Sequence, residues 1–180
     1  RDIPDIIRVV RERCRDARIV ISTNGFMPAF IESQMKKILE IDPDIGVAIS
    51  LDGVGDKHEE VRRIPQAYNK CIDTLTRLQK LGMKNLRFGF TIIPENVDHM
   101  SRVYDDAISR GIQFTHSFAQ SSDNYFGGAH IVNDPDFRVL KEQYRHVIGG
   151  ELKSWNVKRW LRAFFAYSLY RFINEKHQPF

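Results

Sequence analysis

Apolar residues recur along this chain with two alternating periods. From Ile3 to Arg15 they fall at Ile3, Ile6, Ile7, Val10 and Cys14, the spacing of one helical face. Arg18 to Ser22 then reads as a strand, closed by Thr23-Asn24-Gly25, a turn whose last two residues tolerate left-handed backbone. The pattern repeats three times. A helix over residues 28–40 has Pro28 in its first turn and Phe30, Ile31, Met35, Ile38 and Leu39 as its apolar stripe; a strand runs from Ile45 to Leu51. After a loop to Ile64, a helix over 65–81 stopped by Gly82 leads to a strand over 86–93, ending at Pro94. A helix over 97–110 stopped by Gly111 leads to a strand over 112–118. Strands separated by helices of this length require crossover connections, so the predicted fold is α/β with a parallel sheet.

Side chains alternate across a strand, and here the two faces differ. Ala48, Ser50 and Asp52 oppose Val47, Ile49 and Leu51. Val20, Ser22 and Asn24 oppose Ile19, Ile21 and Thr23. Gly89 and Thr91 oppose Phe88, Phe90 and Ile92, while Gln113, Thr115 and Ser117 oppose Phe114, His116 and Phe118. Asp52-Gly53 alone is explained by turn chemistry. Four strands that share the division point instead to a curved sheet, with helices outside and a polar ligand channel inside. Ligands in such sheets gather at the carboxyl ends of the strands.

Residues 119–133 are rich in Ser, Gly, Asn and Asp and form a long loop, functional or disordered. Helices follow over 136–147 and 151–175, the second carrying Trp155, Trp160, Phe164, Phe165, Tyr167, Tyr170 and Phe172. Aromatics nearly all round suit packing against a domain better than a membrane surface.

Composition narrows this picture. The 180 residues, 42% hydrophobic and 28% charged, suit one globular domain. No apolar run is long enough to span a membrane, and the start has no signal-peptide pattern. The net charge of +4 is modest, and Glu12 and Asp16 interrupt the basic residues of the first helix, so nucleic acid is not the expected partner. Cys14 and Cys71 lie far apart, form no metal-spaced motif and read as buried, reduced thiols on helices, compatible with a cytoplasmic location. The chain begins at Arg1 and stops at Phe180 without punctuation, and is expected to be an excerpt of a longer protein.

GxGxxG, P-loop, GxSxG and HExxH motifs are all absent. His58-Glu59, in the loop after the second strand, reads as solvated. Two alternatives stay open on the residues alone: a phosphate- or nucleotide-binding βα-barrel enzyme of ordinary polar chemistry, and a non-enzymatic binding module using the aromatic last helix and the basic first one.

Three stretches, in order and spacing, carry a resemblance: Ile21-Ser22-Thr23-Asn24-Gly25, Ile49-Ser50-Leu51-Asp52-Gly53 and His58-Glu59-Glu60-Val61-Arg62. With the strand running to Pro94-Glu95-Asn96, the stretch from Arg1 to Phe118 resembles the middle of a radical S-adenosylmethionine (radical SAM) enzyme. The similar branch carries additional iron–sulfur clusters after the barrel and includes peptide- and sulfatase-maturing enzymes. The resemblance implies a partial (βα) barrel over 1–133 and a helical segment over 134–180 leading to a further region. It implies an iron–sulfur oxidoreductase with S-adenosylmethionine and a [4Fe-4S] cluster as cofactors, reductive cleavage to a 5′-deoxyadenosyl radical, and hydrogen abstraction from a peptide, protein or small-molecule substrate. The implied reductant is a flavodoxin or ferredoxin. By position, Ser50 resembles a polar contact to S-adenosylmethionine and Arg62 the arginine on its methionyl carboxylate, with Arg63 adjacent. Ser22 and Asn24 would line the same cavity, Thr91 its floor, and Asp52 would sit nearer the substrate. Glu59 stands where the family more often has aspartate. The Cys-x-x-x-Cys-x-x-Cys that binds the cluster is absent, as is the family's Gly-Gly-Glu stretch, so the excerpt by itself is expected to be inactive and to expose an unpaired sheet edge.

Overall fold

The computed structural model describes residues 2–119 and 135–175, with side chains through 173. Its elements are α1 (Ile3–Arg13), β1 (Val20–Thr23), α2 (Pro28–Leu39), β2 (Gly46–Ser50), α3 (Asp56–Arg62), α4 (Ala67–Lys80), β3 (Leu86–Ile92), a 3-10 turn (Val97–His99), α5 (Met100–Ser109), β4 (Gln113–Phe118), α6 (Phe137–Leu152) and α7 (Val157–Glu175). The four strands form one parallel sheet in sequence order, β1-β2-β3-β4. Consecutive parallel strands joined by helices give the α/β architecture that the periodicity predicts, in agreement with the partial (βα) barrel implied by the resemblance.

The two faces of the sheet separate as expected. Val47, Ile49 and Leu51, with Leu86, Phe88, Phe90 and Ile92, are buried against Leu75 and Leu78 of α4 and Val103 and Ala107 of α5. Burial of each of the larger side chains contributes about 1.5–3 kcal/mol. On the opposite face, Ala48, Ser50, Arg87, Gly89, Thr91 and Thr115 are half-buried and Ser22 and Ser117 are exposed. That face is the open one.

Several expectations are corrected. The segment between β2 and α4 holds a helix, α3, whose dense charge resembles a solvated loop in sequence. In α1 only Pro4 and Ile7 are buried; Ile3 and Ile6 are exposed. Cys14 is exposed just past the end of α1, whereas Cys71 is buried as expected. Phe30 of α2 is exposed as well. Gly149-Gly150 does not end α6, because Tyr104 occupies the space a side chain at Gly150 would need, 2.5 Å from a Cβ built there. The break comes instead between Leu152 and Val157.

Helices α6 and α7 share the core of the sheet, through Leu140, Tyr144, Val147 and Ala166. The other side of α7 leaves Leu161, Phe164, Phe165, Tyr167 and Phe172 exposed among the described residues, so only part of the aromatic helix packs here. No helix of the described residues is long and apolar enough to cross a membrane. The loop 119–133 lies, beyond Ala119, outside the described residues.

Candidate functional site

The carboxyl ends of β1, β2 and β3 are tied together by a buried polar network centred on Asp52. The chain leaves β2 at Ser50 and is only 4% exposed at Asp52. The carboxylate oxygen Oδ2 lies 2.6 Å from Nε of Arg62, and Oδ1 accepts the backbone N–H of Thr91 at 3.3 Å. Asn96, fully buried, donates through Nδ2 to the carbonyls of Asp52 (3.1 Å) and Thr91 (3.0 Å), while its Oδ1 accepts from Ile93 N (2.9 Å). One side chain thereby joins the ends of β2 and β3.

His58 and Arg62 are four residues apart on α3, so they share a face, and that face meets Asp52. The Nδ1 of His58 accepts the backbone N–H of Asp52 at 3.0 Å. Its Nε2 lies 3.5 Å from Sγ of Cys71, which is 3.1 Å from the carbonyl of Asn24. Burial holds His58 neutral, its pKa lowered to about 4, against an opposing pull from Asp52. Burial pushes the Cys71 thiol up to about 12, which makes it a poor nucleophile. At β1, Gly25 (φ +74°) is held by Thr74, whose hydroxyl donates to its carbonyl at 2.7 Å. A Cβ there would come 3.0 Å from Ile49 and 3.1 Å from Cys71, so glycine alone fits.

The candidate residues divide into three groups. Ser22, Ser50 and Thr91 line one open trough, together with Gly89, Thr115 and Ser117. Asn24 is not in that trough; exposed at the edge of the sheet, it lines a pocket with Met27 and Phe30, and its Oδ1 accepts the N–H of Phe26 at 3.1 Å. Arg62 and Asp52 form the anchored pair at the strand ends. Asp52, expected nearer a substrate, is buried here with its two oxygens engaged by Arg62 and Thr91. Arg63, next to Arg62, is the exposed, left-handed residue that ends α3.

Sequence reasoning missed His58, Cys71 and Asn96. The spacing of four between His58 and Arg62 was a usable signal once α3 is recognised as helical. Nothing local marks Cys71. Replacing Asp52 with Ala is expected to cost about 2–3 kcal/mol, because Thr91 N–H loses its acceptor and half-buried Arg62 its counter-charge. Urea unfolding checks this; a loss well under ~1 kcal/mol would mean that the carboxylate anchors nothing.

The exposed part of the Arg62 guanidinium suits a carboxylate group. The Nε of Arg62 is buried against Asp52 at 2.6 Å, while the side chain as a whole is 33% exposed, so the rest of the guanidinium keeps donors for a carboxylate. The same residues do not suit an iron–sulfur cluster. The chain has two cysteines, one exposed and one buried, and no group of three potential metal ligands occurs among the described residues.

Residues 1–107 match the family model of the Radical SAM superfamily. The chain is also 31% identical over 106 residues to an Fe-coproporphyrin III synthase of Methanosarcina barkeri (strain Fusaro / DSM 804). That similarity covers 58% of this chain and 25% of the synthase, so the chain spans about a quarter of the length of the relative it matches. Members of the superfamily use S-adenosylmethionine with a [4Fe-4S] cluster, and the parallel sheet with its polar strand ends is the corresponding part of their barrel. With the family model covering more than half its length, this chain belongs to the radical SAM superfamily.

Proposed function

We propose that this chain is the S-adenosylmethionine-binding core of a radical SAM iron–sulfur oxidoreductase. The observation that carries the reading is Arg62, held by buried Asp52 at the carboxyl ends of the strands, beside an open face bearing Ser22, Ser50 and Thr91. In this reading Arg62 receives the methionyl carboxylate. Ser50 supplies a hydroxyl to the same ligand, Ser22 lines the cavity and Thr91 forms its floor, while Asn24 stands in the neighbouring pocket. The cofactor pair, when bound, supplies the reductive cleavage chemistry common to the superfamily. The chain's own contribution is to bind and orient; the cluster ligands lie outside this sequence, and no residue here replaces them. A one-electron donor of the flavodoxin or ferredoxin type is the partner this chemistry requires. The similarity to the synthase supports the family chemistry and assigns no substrate, because it covers only 25% of the synthase.

The test is S-adenosylmethionine binding by the full-length, cluster-loaded protein, measured calorimetrically. Arg62→Ala is expected to weaken affinity about 10- to 100-fold, as for loss of a charge-assisted hydrogen bond, and Ser50→Ala roughly 2- to 10-fold. Unchanged affinity in both variants would remove the assignment.

A further inference from the structure

His58 is fully buried and absent from the lining of the open trough, and yet it bonds to Asp52 at the end of β2 and meets Cys71 of α4. Its tautomer follows from its partners. A backbone N–H can only donate, so the Nδ1 facing Asp52 N at 3.0 Å carries the lone pair. The proton of the neutral ring is then on Nε2, directed at Sγ of Cys71. Cys71, accepting there, turns its own S–H to the carbonyl of Asn24 at 3.1 Å. A directional chain therefore runs from the end of β2, through α3 and α4, to the turn after β1. Its donor sense is set throughout by Asp52 N–H.

We propose that His58 is a positioning residue for S-adenosylmethionine, acting through its Nδ1 lone pair on Asp52 and thereby on Arg62. The inference rests on the binding role proposed above for Arg62. The physical ground is that Asp52 has little freedom left. Its N–H is held by His58, its carbonyl by Asn96 and its carboxylate by Thr91 N–H, so Oδ2 meets Arg62 in one arrangement. Removing the acceptor at Nδ1 leaves a buried N–H unpaired, and the backbone that aims Oδ2 must shift to satisfy it. The Nε2–Cys71 arm is a softer sulfur contact and carries less of the constraint.

Two substitutions separate the arms. In His58→Asn the side-chain oxygen takes the place of Nδ1 and the far donor is lost. In His58→Gln the amide reaches towards Cys71 and the near acceptor is lost. S-adenosylmethionine itself is the probe, titrated into the full-length, cluster-loaded protein. His58→Gln is expected to weaken binding about tenfold and His58→Asn less than about threefold, the difference reflecting the unpaired Asp52 N–H. Equal losses, or the reverse order, would overturn the proposal and leave His58 a packing residue. The tautomer supplies a check that survives if either variant fails to fold: 15N-histidine spectra of the wild-type protein should show Nδ1 bare and Nε2 protonated, and the opposite assignment also overturns it. Arg62→Ala in the same titration distinguishes the two levels. If it leaves affinity unchanged, the binding role of Arg62 fails; if it weakens binding while His58→Gln does not, only the positioning role fails.

Discussion

Replacing Glu151 with Ala is expected to destabilise the fold by about 3–5 kcal/mol, the usual cost of breaking a buried ion-pair network by removing one partner. Glu151 is 3% exposed inside the last turns of α6, and three groups converge on it. Oε1 accepts the hydroxyl of Tyr104 from α5 at 3.1 Å and faces Nη2 of Arg159 at 3.4 Å. Oε2 accepts Nε–H of Arg162 at 2.9 Å. Arg159 also donates to Tyr104 Oη at 3.0 Å and to the carbonyl of Gly150 at 2.9 Å, so Arg159 and Arg162 of α7 and Tyr104 of α5 depend on one carboxylate. Without it two guanidinium groups face each other across a partly closed space. Glu151→Gln keeps the acceptor oxygen and the volume, and is expected to cost only about 1–2 kcal/mol. Denaturant midpoints of the two variants give the comparison. If Ala and Gln cost the same, the charge is irrelevant and α7 is held by its apolar contacts alone.

Acid should loosen the fold well above the pH at which carboxylates protonate. Burial lowers the pKa of both His58 and His116 from 6.5 to about 4. In each case the folded state keeps the ring neutral while the unfolded chain takes up a proton near pH 6.5. The stability contributed by the neutral rings is therefore complete above pH 6.5, declines as pH falls, and is lost by about pH 4. Each ring gives a slope of about 1 kcal/mol per pH unit once the unfolded state is fully protonated, so the pair gives about 2 near pH 5. His116 offers a clean control. Its ring stacks on Phe114 (5.5 Å between centroids) and meets Tyr144 and Phe165 edgewise, while Nε2 is buried with no hydrogen-bond partner. His116→Phe removes an unsatisfied atom and keeps the stacking, so it should be neutral or stabilising at pH 7 and should roughly halve the slope between pH 6 and 5. Unfolding free energies of wild type and variant across that range decide the matter. A slope unchanged by the substitution would mean that His116 protonates in the folded state.

The organisation of the site follows the same logic as these two effects. Its reactive-looking groups are not available for chemistry: Cys71 is held as a thiol, His58 as a neutral acceptor and Asp52 as an anchor. What remains exposed is recognition chemistry, the hydroxyls on the open face and the guanidinium of Arg62. That division suits a superfamily whose reactivity resides in its cofactors.

How much of this was legible beforehand depended on the range over which each signal acts. Alternation with a period of two is a local property, so the sequence by itself determined which side of each strand would be buried. Phe88, Phe90 and Ile92 against Gly89 and Thr91 could be assigned without knowing any neighbour, and the structure agrees. Glycine stops at Gly82 and Gly111, both with positive φ, were readable for the same reason. The motif spacing likewise carried the family, since Ser50, Asp52, His58 and Arg62 lie within one strand–loop–helix unit. Tertiary structure alone decided what those residues do to one another. The contact of His58 with Cys71 spans 13 residues, that of Asp52 with Asn96 spans 44, and that of Cys71 with Asn24 spans 47. Such pairings depend on strand register and on how a helix is rotated against the sheet, and neither leaves a periodic trace in the chain. Burial then reversed the apparent character of the groups. A charged-looking loop with His58 and Asp52 became a closed network, because buried donors and acceptors must find partners once water is excluded.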